Sequence, residues 1–371
     1  MGNWKNGELG DFVTLKRGFD LPQQKREDGQ VPIFSSSGIT GTHSTAMVKA
    51  PGVITGRYGT IGEVFYAAKD FWPLNTTLFV EDFHGNDAKF IYYFLKTLEW
   101  SKFTSASAVP GINRNTVHKE IVSLPDIETQ RRIASTLSMF DEKIKINTEI
   151  NDNLEQQAQS YFQELFVDNA SPEWTTGTIS DLGTVVGGST PSKAKPEYYT
   201  ESGIAWITPK DLSINKSKFV SHGENDITEL GLRNSSASLM PEGTVLFSSR
   251  APIGYIAIAA GEVTTNQGFK SVVPKPEIGT PFVYFFLKNT LPVIEGMASG
   301  STFKEVSGST MKNVSAVIPD AETLAKFSDF CAPIFAQQRI LEEQNQSLAT
   351  LRDNLLPKLM SGEIDVSAVQ L

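Results

Sequence analysis

The chain has 371 residues, 33 lysines and arginines against 42 aspartates and glutamates, and 40% hydrophobic residues, which suits a globular protein of two or three domains and excludes disordered and collagen-like classes. A single cysteine, Cys331, excludes an internal disulfide and a cysteine-based zinc site and points to a reducing compartment. No apolar run approaches the ~20 residues that span a bilayer, and the opening MGNWKNGELGD has neither a basic nor an apolar signal region, so a cytoplasmic protein with no membrane partner is expected. The net charge of −9 argues at first against nucleic acid, because affinity for DNA begins with cationic side chains displacing counterions.

Along the chain, residues 1–125 are rich in Gly, Ser, Thr and Pro with short β-branched and aromatic runs such as GVIT at 52–55, which predicts a strand-rich α+β domain. The run FIYYFLK, Phe90 to Lys96, places Phe90 and Phe94 on one helical face and predicts core packing. Residues 126–170 hold almost no Gly or Pro and predict one long helix. The same order then repeats: a strand-rich domain over 171–319 and a second long helical region over 320–371. Trp4, Asp11, Thr14 and Gly18 recur as Trp174, Asp181, Thr184 and Gly188 at an offset of 170. FIYYFLK returns as FVYFFLK from Phe282 at an offset of 192, and LPDIET returns as IPDAET at 194. The chain is an internal duplication whose second copy carries insertions.

The helical regions have a coiled-coil seam. In the first, Ile133, Leu137, Phe140, Ile144, Asn147, Asn151, Leu154, Ala158, Tyr161 and Leu165 follow 4-3-4-3 spacing; in the second, Phe327, Cys331, Ile334, Gln338, Leu341, Asn345, Leu348, Arg352, Leu355 and Leu359 do the same. Asn151 and Asn345 are equivalent seam positions, and a seam Asn commonly fixes register at a cost in stability. Each helix opens on Pro-Asp, which puts acid at the positive end of the helix dipole. The 39 residues from Glu128 to Phe166 make a helix ~58 Å long. The simplest reading pairs the two helices as an antiparallel coiled coil, with a globular domain at each end and a pseudo-two-fold axis between the copies.

Catalytic motifs are missing. His43, His84, His118 and His222 are isolated from one another, and the chain contains no P-loop, no GxGxxG and no methyltransferase N-P-P-[YF] or D-P-P-[YF] run. Pro125-Asp126 with Asp141-Glu142-Lys143 fits the loose PD…(D/E)xK nuclease pattern, but such a site needs its carboxylates on strands around a metal. Asp141 lies on the predicted helix beside seam residue Phe140 instead. A non-catalytic chain with no metal and no cofactor of its own is expected.

The two-copy layout resembles the specificity (S) subunits of type I restriction-modification systems, which are described as two target-recognition domains alternating with two long helical regions. The resemblance covers essentially the whole chain. It rests on that order together with LPDIETQRRI after the first domain, VLFSSRAPIG at 245–254, TNQGF at 265–269 and LLPKLMSGEI at 355–364. The second copy departs from the first in having Leu324 where Gln130 stands, and the domains differ in NTTL at 75–78 against NQGF at 266–269. The resemblance implies a non-enzymatic subunit reading a bipartite, asymmetric double-stranded DNA site, one half per domain. It further implies docking of methyltransferase subunits, two in number, and of restriction subunits. Those partners would use S-adenosylmethionine, ATP and magnesium. The outward helix faces, including Gln156, Gln157 and Gln337, would meet the methyltransferase as a helical bundle. Alternatives are a coiled-coil adaptor binding protein or glycan through two β-rich domains, and the recognition subunit of a two-subunit type II system.

Base edges are read by Arg at guanine and by Asn or Gln at adenine, while Lys, Arg, Ser and Thr grip phosphates. On that basis the DNA-binding candidates are Ser36, Arg57, Tyr58, Asn113, Arg114 and Asn115 in the first domain. In the second they are Lys210, Ser249, Arg250, Ser301 and Lys304. The regional charges are +1 for 1–125, −5 for 126–170, −1 for 171–319 and −4 for 320–371, so the acidity lies on the helices. Near-neutral recognition domains give little counterion-release affinity, and the subunit alone is expected to bind DNA weakly, with the methyltransferases supplying most phosphate contacts. A ~58 Å helix corresponds to ~17 base pairs at ~3.4 Å each. Deleting one heptad from each helix should therefore shorten the unspecified spacer or abolish activity, and methylome sequencing checks this; an unchanged methylated site contradicts the ruler.

Overall fold

The computed structural model describes residues 3–104, 110–300 and 304–366. It divides into two compact units, 1–144 with 346–371, and 145–345. Each unit therefore contains one globular domain, the start of the long helix that follows it, and the end of the other long helix.

In the first unit, four strands make an antiparallel sheet in the order Thr14–Arg17, Thr77–Asp82, Gly52–Gly56, Val64–Ala67. All five residues of Gly52–Gly56 are buried, as expected of a central strand covered on both faces. A smaller sheet orders Gly38–His43, Val31–Ser35 and Trp72–Pro73. Asp87 caps helix Ala88–Lys96 by accepting from the Phe90 N–H at 2.8 Å, and the helix buries Phe90, Ile91, Tyr93, Phe94 and Leu95. In the second unit a five-stranded sheet runs Gly183–Gly187, Lys270–Pro274, Val245–Ser249, Ile253–Ala259, Phe219–Val220. Helix Thr280–Gly296 packs on it, burying Phe282 to Leu287 and Ile294. The aromatic repeats do in both copies what their spacing predicts: Phe90 stacks on Phe94 at 6.1 Å and Phe282 on Phe286 at 6.0 Å.

Three positions of the shared opening motif, the Asp, the Gly and the Trp, have a physical reason. Asp11 and Asp181 accept backbone N–H groups, of Glu8 at 3.0 Å and Thr178 at 2.8 Å, and so cap one-turn helices. Gly18 and Gly188 lie against carbonyl oxygens of Leu74 and Asn266, which an added Cβ would approach to 2.1 and 2.0 Å. Trp174 packs on Phe166 near the end of the first long helix, ring centroids 5.9 Å apart. Trp4 lies beside Gly362, just past the end of the second.

The long helices span Ile127–Gln163, extended by a π-helical turn at Glu164–Asp168, and Ala321–Met360. Asp126 and Asp320 start them, accepting the N–H of Thr129 at 3.0 Å and of Thr323 at 2.8 Å. Those backbone bonds hold both carboxyls below the ordinary range. No seam residue of either helix is exposed. The helices pair antiparallel: in the first unit Asp141 meets Arg352 at 2.5 Å, and in the second Asn147 Nδ2 donates to Asn345 Oδ1 at 2.9 Å while Gln338 Nε2 donates to the Asn151 carbonyl at 3.2 Å. Asn345 thus bonds Asn147, and its repeat equivalent Asn151 bonds the Gln338 backbone. Asp141, the acid of the nuclease-like pattern, is occupied by Arg352 and the Tyr93 hydroxyl. Gln130 is buried and ties the first helix to the preceding loop, donating to Asn86 Oδ1 and the Pro125 carbonyl and accepting from the Asp87 N–H. Leu324, its counterpart, is packed in the apolar core instead.

The second unit holds a buried charged cluster. Lys218, 8% exposed, donates to Glu155 Oε2 at 2.8 Å and Gln338 Oε1 at 2.9 Å, with its ammonium 3.5 Å from the Phe335 ring centre. Glu155 also binds Lys288 at 2.5 Å and the Tyr284 hydroxyl at 3.2 Å. Glu342 accepts the backbone N–H groups of Lys218 and Phe219 at 2.7 and 3.0 Å, fastening the sheet edge to the helix. Breaking a buried pair from one side leaves the other charge uncompensated, so Glu155→Gln should cost ~3–5 kcal/mol of stability. Lys218→Met should cost less, because Glu155 keeps Lys288; urea unfolding of both variants checks the order. Burial lowers the Lys218 pKa from 10.5 to about 8. Between those values the unfolded chain binds the extra proton, so the parent should gain stability relative to Lys218→Met as pH rises from about 8 to 10.5.

Candidate nucleic-acid interface

In the first unit, the candidates from two distant sequence segments meet in one cleft, lined by Lys16, Arg17, Arg57, Tyr58, Leu78 and the stretch Gly111 to Arg114. The loop after the buried central strand carries Arg57 and Tyr58. Its backbone is fixed from both sides: the Arg57 N–H donates to the Thr76 carbonyl at 2.8 Å, and the Arg57 carbonyl accepts from the Ile112 N–H at 3.0 Å. Gly111 permits this approach, since a Cβ there would come 2.1 Å from the Tyr58 ring. The Arg57 guanidinium lies 4.6 Å from the Tyr58 ring centre and its Nε donates to the Ile112 carbonyl at 3.3 Å. Arg114 is exposed at the head of a one-turn helix capped by Asn113, and its Nη1 reaches the Leu15 carbonyl at 3.4 Å. Asn115 is exposed beside it. Ser36 belongs to the turn against Gly59, whose Cβ would meet Ser36 Oγ at 3.2 Å.

Of the four cations in this cleft, Lys16 is paired with Glu81 at 2.5 Å and Arg17 with Asp20 at 3.6 Å. Among the described residues no carboxylate forms an ion pair with Arg57 or Arg114; both are steered by carbonyl oxygens, which orient a guanidinium and leave its charge in place. Lys16 and Arg17 are cleft residues that motif reading passed over. Their signal was in the repeat: within the shared opening block they are replaced by Val186 and Gly187, so this is where the copies diverge while the scaffold stays.

In the second unit, Lys210 and Arg250 line one cleft with Thr190, Lys193, Trp206, Thr208, Glu224, Asn225, Asn266 and Gln267. Thr208 caps the helix that begins at Pro209, which presents Lys210 outward. Lys210 is bound to Glu224 at 2.6 Å, and that contact raises the lysine pKa. Arg250 faces Glu305 at 3.5 Å, which also holds Lys270 at 3.6 Å. Asn266 is spent on its own turn, accepting the Gly268 N–H at 2.8 Å, whereas Gln267 meets the Thr190 hydroxyl. Lys304 is exposed next to Glu305. Ser249 is a correction to the candidate set: it is fully buried, and its Oγ donates to the Gly268 carbonyl at 3.1 Å, so it braces the strand. Ser301 lies outside the described residues. Among the described residues no group of three His, Cys, Asp or Glu side chains could hold a metal, and no helix is long and apolar enough to cross a membrane.

Comparison with known proteins gives this geometry its context. The model for the type I restriction modification DNA specificity domain matches residues 1–156 and again 172–351. The type I restriction enzyme MjaIX specificity subunit of Methanocaldococcus jannaschii is 38% identical over 194 residues, 50% of this chain and 45% of that protein, so the match spans about half the relative's length. The HindI specificity subunit of Haemophilus influenzae is 24% identical over 347 residues, covering 72% of this chain and 75% of that one. In fold, the chain is similar to the crystal structure of a type I restriction-modification S subunit from M. genitalium, with a TM-score of 0.62 at 18% identity over 96% of both chains. Matched twice in tandem across most of its length, the chain belongs to the type I restriction-modification DNA specificity family.

Proposed function

We propose that this specificity subunit reads a bipartite, asymmetric double-stranded DNA site in the cytoplasm, one half with each recognition domain, and docks two methyltransferase subunits and restriction subunits without doing chemistry itself. The observation that carries the reading is the pair of clefts. They occur on copies of one fold, yet one is lined by Arg57 and Arg114 with a stacked Tyr58 beside ion-paired Lys16 and Arg17, and the other by amides, hydroxyls, ion-paired Lys210 and Arg250, and Lys193. Two copies with equal surfaces would suit a palindrome; two unequal surfaces suit two different half-sites. S-adenosylmethionine, ATP and magnesium would be bound by the partners.

In the first cleft, Arg57 and Arg114 would supply contacts to guanine O6 and N7 or to phosphate, with Tyr58 holding the Arg57 plane. In the second, Lys210, Arg250 and Gln267 are the groups placed to meet DNA. Replacing both Arg57 and Arg114 by Ala should weaken site-specific methylation by ~10-fold or more, on the scale of ~1–3 kcal/mol per good bidentate contact. Ser249→Ala should leave the recognised sequence unchanged, because that hydroxyl faces inward. Methylated-base mapping after co-expression of each variant with the methyltransferase measures both; wild-type methylation by the double-arginine variant removes the first cleft from the interface.

A further inference from the structure

Each cleft holds both matched and unmatched cations among the described residues. In the first, Lys16 and Arg17 face carboxylates and Arg57 and Arg114 do not. In the second, Lys210 and Arg250 face carboxylates and exposed Lys193 does not, and the carboxylates of this cleft are residues that sequence motifs do not mark. Arg57 and Arg114 are held by carbonyl oxygens at 3.3 and 3.4 Å and by the Tyr58 ring. A carbonyl or a π-face fixes a guanidinium's direction without cancelling its charge, so both remain available to displace counterions from a phosphate backbone. In the second unit the carboxylate of Glu224 lies 2.6 Å from Lys210, both side chains being about three-fifths exposed at 61% and 62%. Glu305 lies between Arg250 and Lys270, at 3.5 and 3.6 Å. Neither carboxylate is needed by the core: Glu224 points to solvent from a loop, and Glu305 is held in place by its backbone pairing with Ser299.

The exposed Lys210–Glu224 pair adds little to stability, whereas Glu305 is half-buried and one of its partners, Lys270, is only 16% exposed. The position of these carboxylates around a cleft has a larger effect on what the cleft attracts. A lysine already matched by a carboxylate releases few counterions when it meets a phosphate, and the carboxylate itself repels the backbone.

Resting on the DNA reading above, we infer that Glu224 and Glu305 are specificity-determining residues: they suppress sequence-independent phosphate binding by the second unit, whose cleft then discriminates, while the first unit's unpaired arginines supply the non-specific grip. A carboxylate at the cleft wall rejects a duplex that offers only phosphates and tolerates one whose base edges present amino-group donors to it or to Gln267.

The test uses the full chain and a fluorescent random-sequence duplex, with binding followed by anisotropy between 50 and 200 mM KCl. The double variant Glu224→Gln with Glu305→Gln should bind this duplex ~3–10-fold more tightly at the low-salt end and steepen the log–log salt slope by about 1–2. Adding Lys210→Gln to that background should take back part of the gain, and Arg57→Ala with Arg114→Ala should flatten the parent slope by about 2. Thermal unfolding of Glu224→Gln alone should match the parent, since that carboxylate is about three-fifths exposed, and binding by this single variant keeps the reading testable if Glu305→Gln loosens the fold around Lys270. Unchanged affinity and slope in the double glutamate variant overturn the inference. A parent with no salt-dependent DNA binding overturns the DNA reading as well, so the two failures are distinguishable.

Discussion

Neither recognition domain has a complete core without a helical segment that arrives from elsewhere in the chain, and this constraint organises the molecule. In the second unit, Ala158, Phe162 and Phe166 at the end of the first long helix are buried among Ile179, Leu182, Phe282 and Phe327. Phe166 alone lies within 4.8 to 5.9 Å of four aromatic rings. In the first unit, Leu359 and Met360 from the end of the second helix, with Val366 just beyond it, close the core around Leu9, Phe12 and Phe90. At ~1.5–3 kcal/mol for each large buried side chain, these inserted residues stabilise each unit by an amount comparable to a domain's whole margin. The first core is not complete without Leu359, Met360 and Val366. The tandem sequence is thus interlaced in space, and helix pairing is a condition of domain folding.

Hydrophobic burial alone would let paired helices slide by a heptad, so the polar layers decide the register. Asn147 with Asn345 and Gln338 with Asn151 would lose their partners under a shift, and each buried amide left unpaired costs ~1–3 kcal/mol. The charged contacts then differ between the copies where the scaffold does not. Asp141 in the first helix accepts from Tyr93 and Arg352, while the equivalent position in the second helix is Phe335, whose ring lies under the Lys218 ammonium. The duplication kept the backbone plan, and each copy evolved its own means of fixing a recognition domain to the same pair of helices.

What could be read from residue order was whatever repeats or has a period. The seam positions are all shielded, the aromatic heptapeptides pack as helices, and the Pro-Asp starts are caps, because each of these signals is local and written twice. The buried Lys218 cluster left no such trace. Its partners Glu155 and Gln338 are 63 and 120 residues away, and a lysine in the run NKSKFV looks like any solvated loop cation. Ser249 was misread for a related reason: a serine beside an arginine suits a binding loop, but it ends a strand buried on both faces and its hydroxyl is taken by the Gly268 carbonyl. Lys16 and Arg17 were legible only by asking where two copies of one motif disagree.

The acidity of the chain is resolved at the level of single bonds. Many of the helical carboxylates have defined structural partners: Asp126 and Asp320 cap helix starts, Asp141 bonds Arg352, Glu155 bonds two lysines, and Glu342 accepts two backbone N–H groups. These charges stabilise the scaffold and lie on helical segments. Arg57 and Arg114 of the first cleft, in contrast, are oriented by neutral groups and keep their charge. Because interactions between exposed charges fade beyond ~10 Å in ordinary salt, a distant helical carboxylate cannot cancel a cleft arginine. Net charge is therefore a poor guide to what such a chain binds; the balance within each cleft, one carboxylate at a time, is what a duplex would meet.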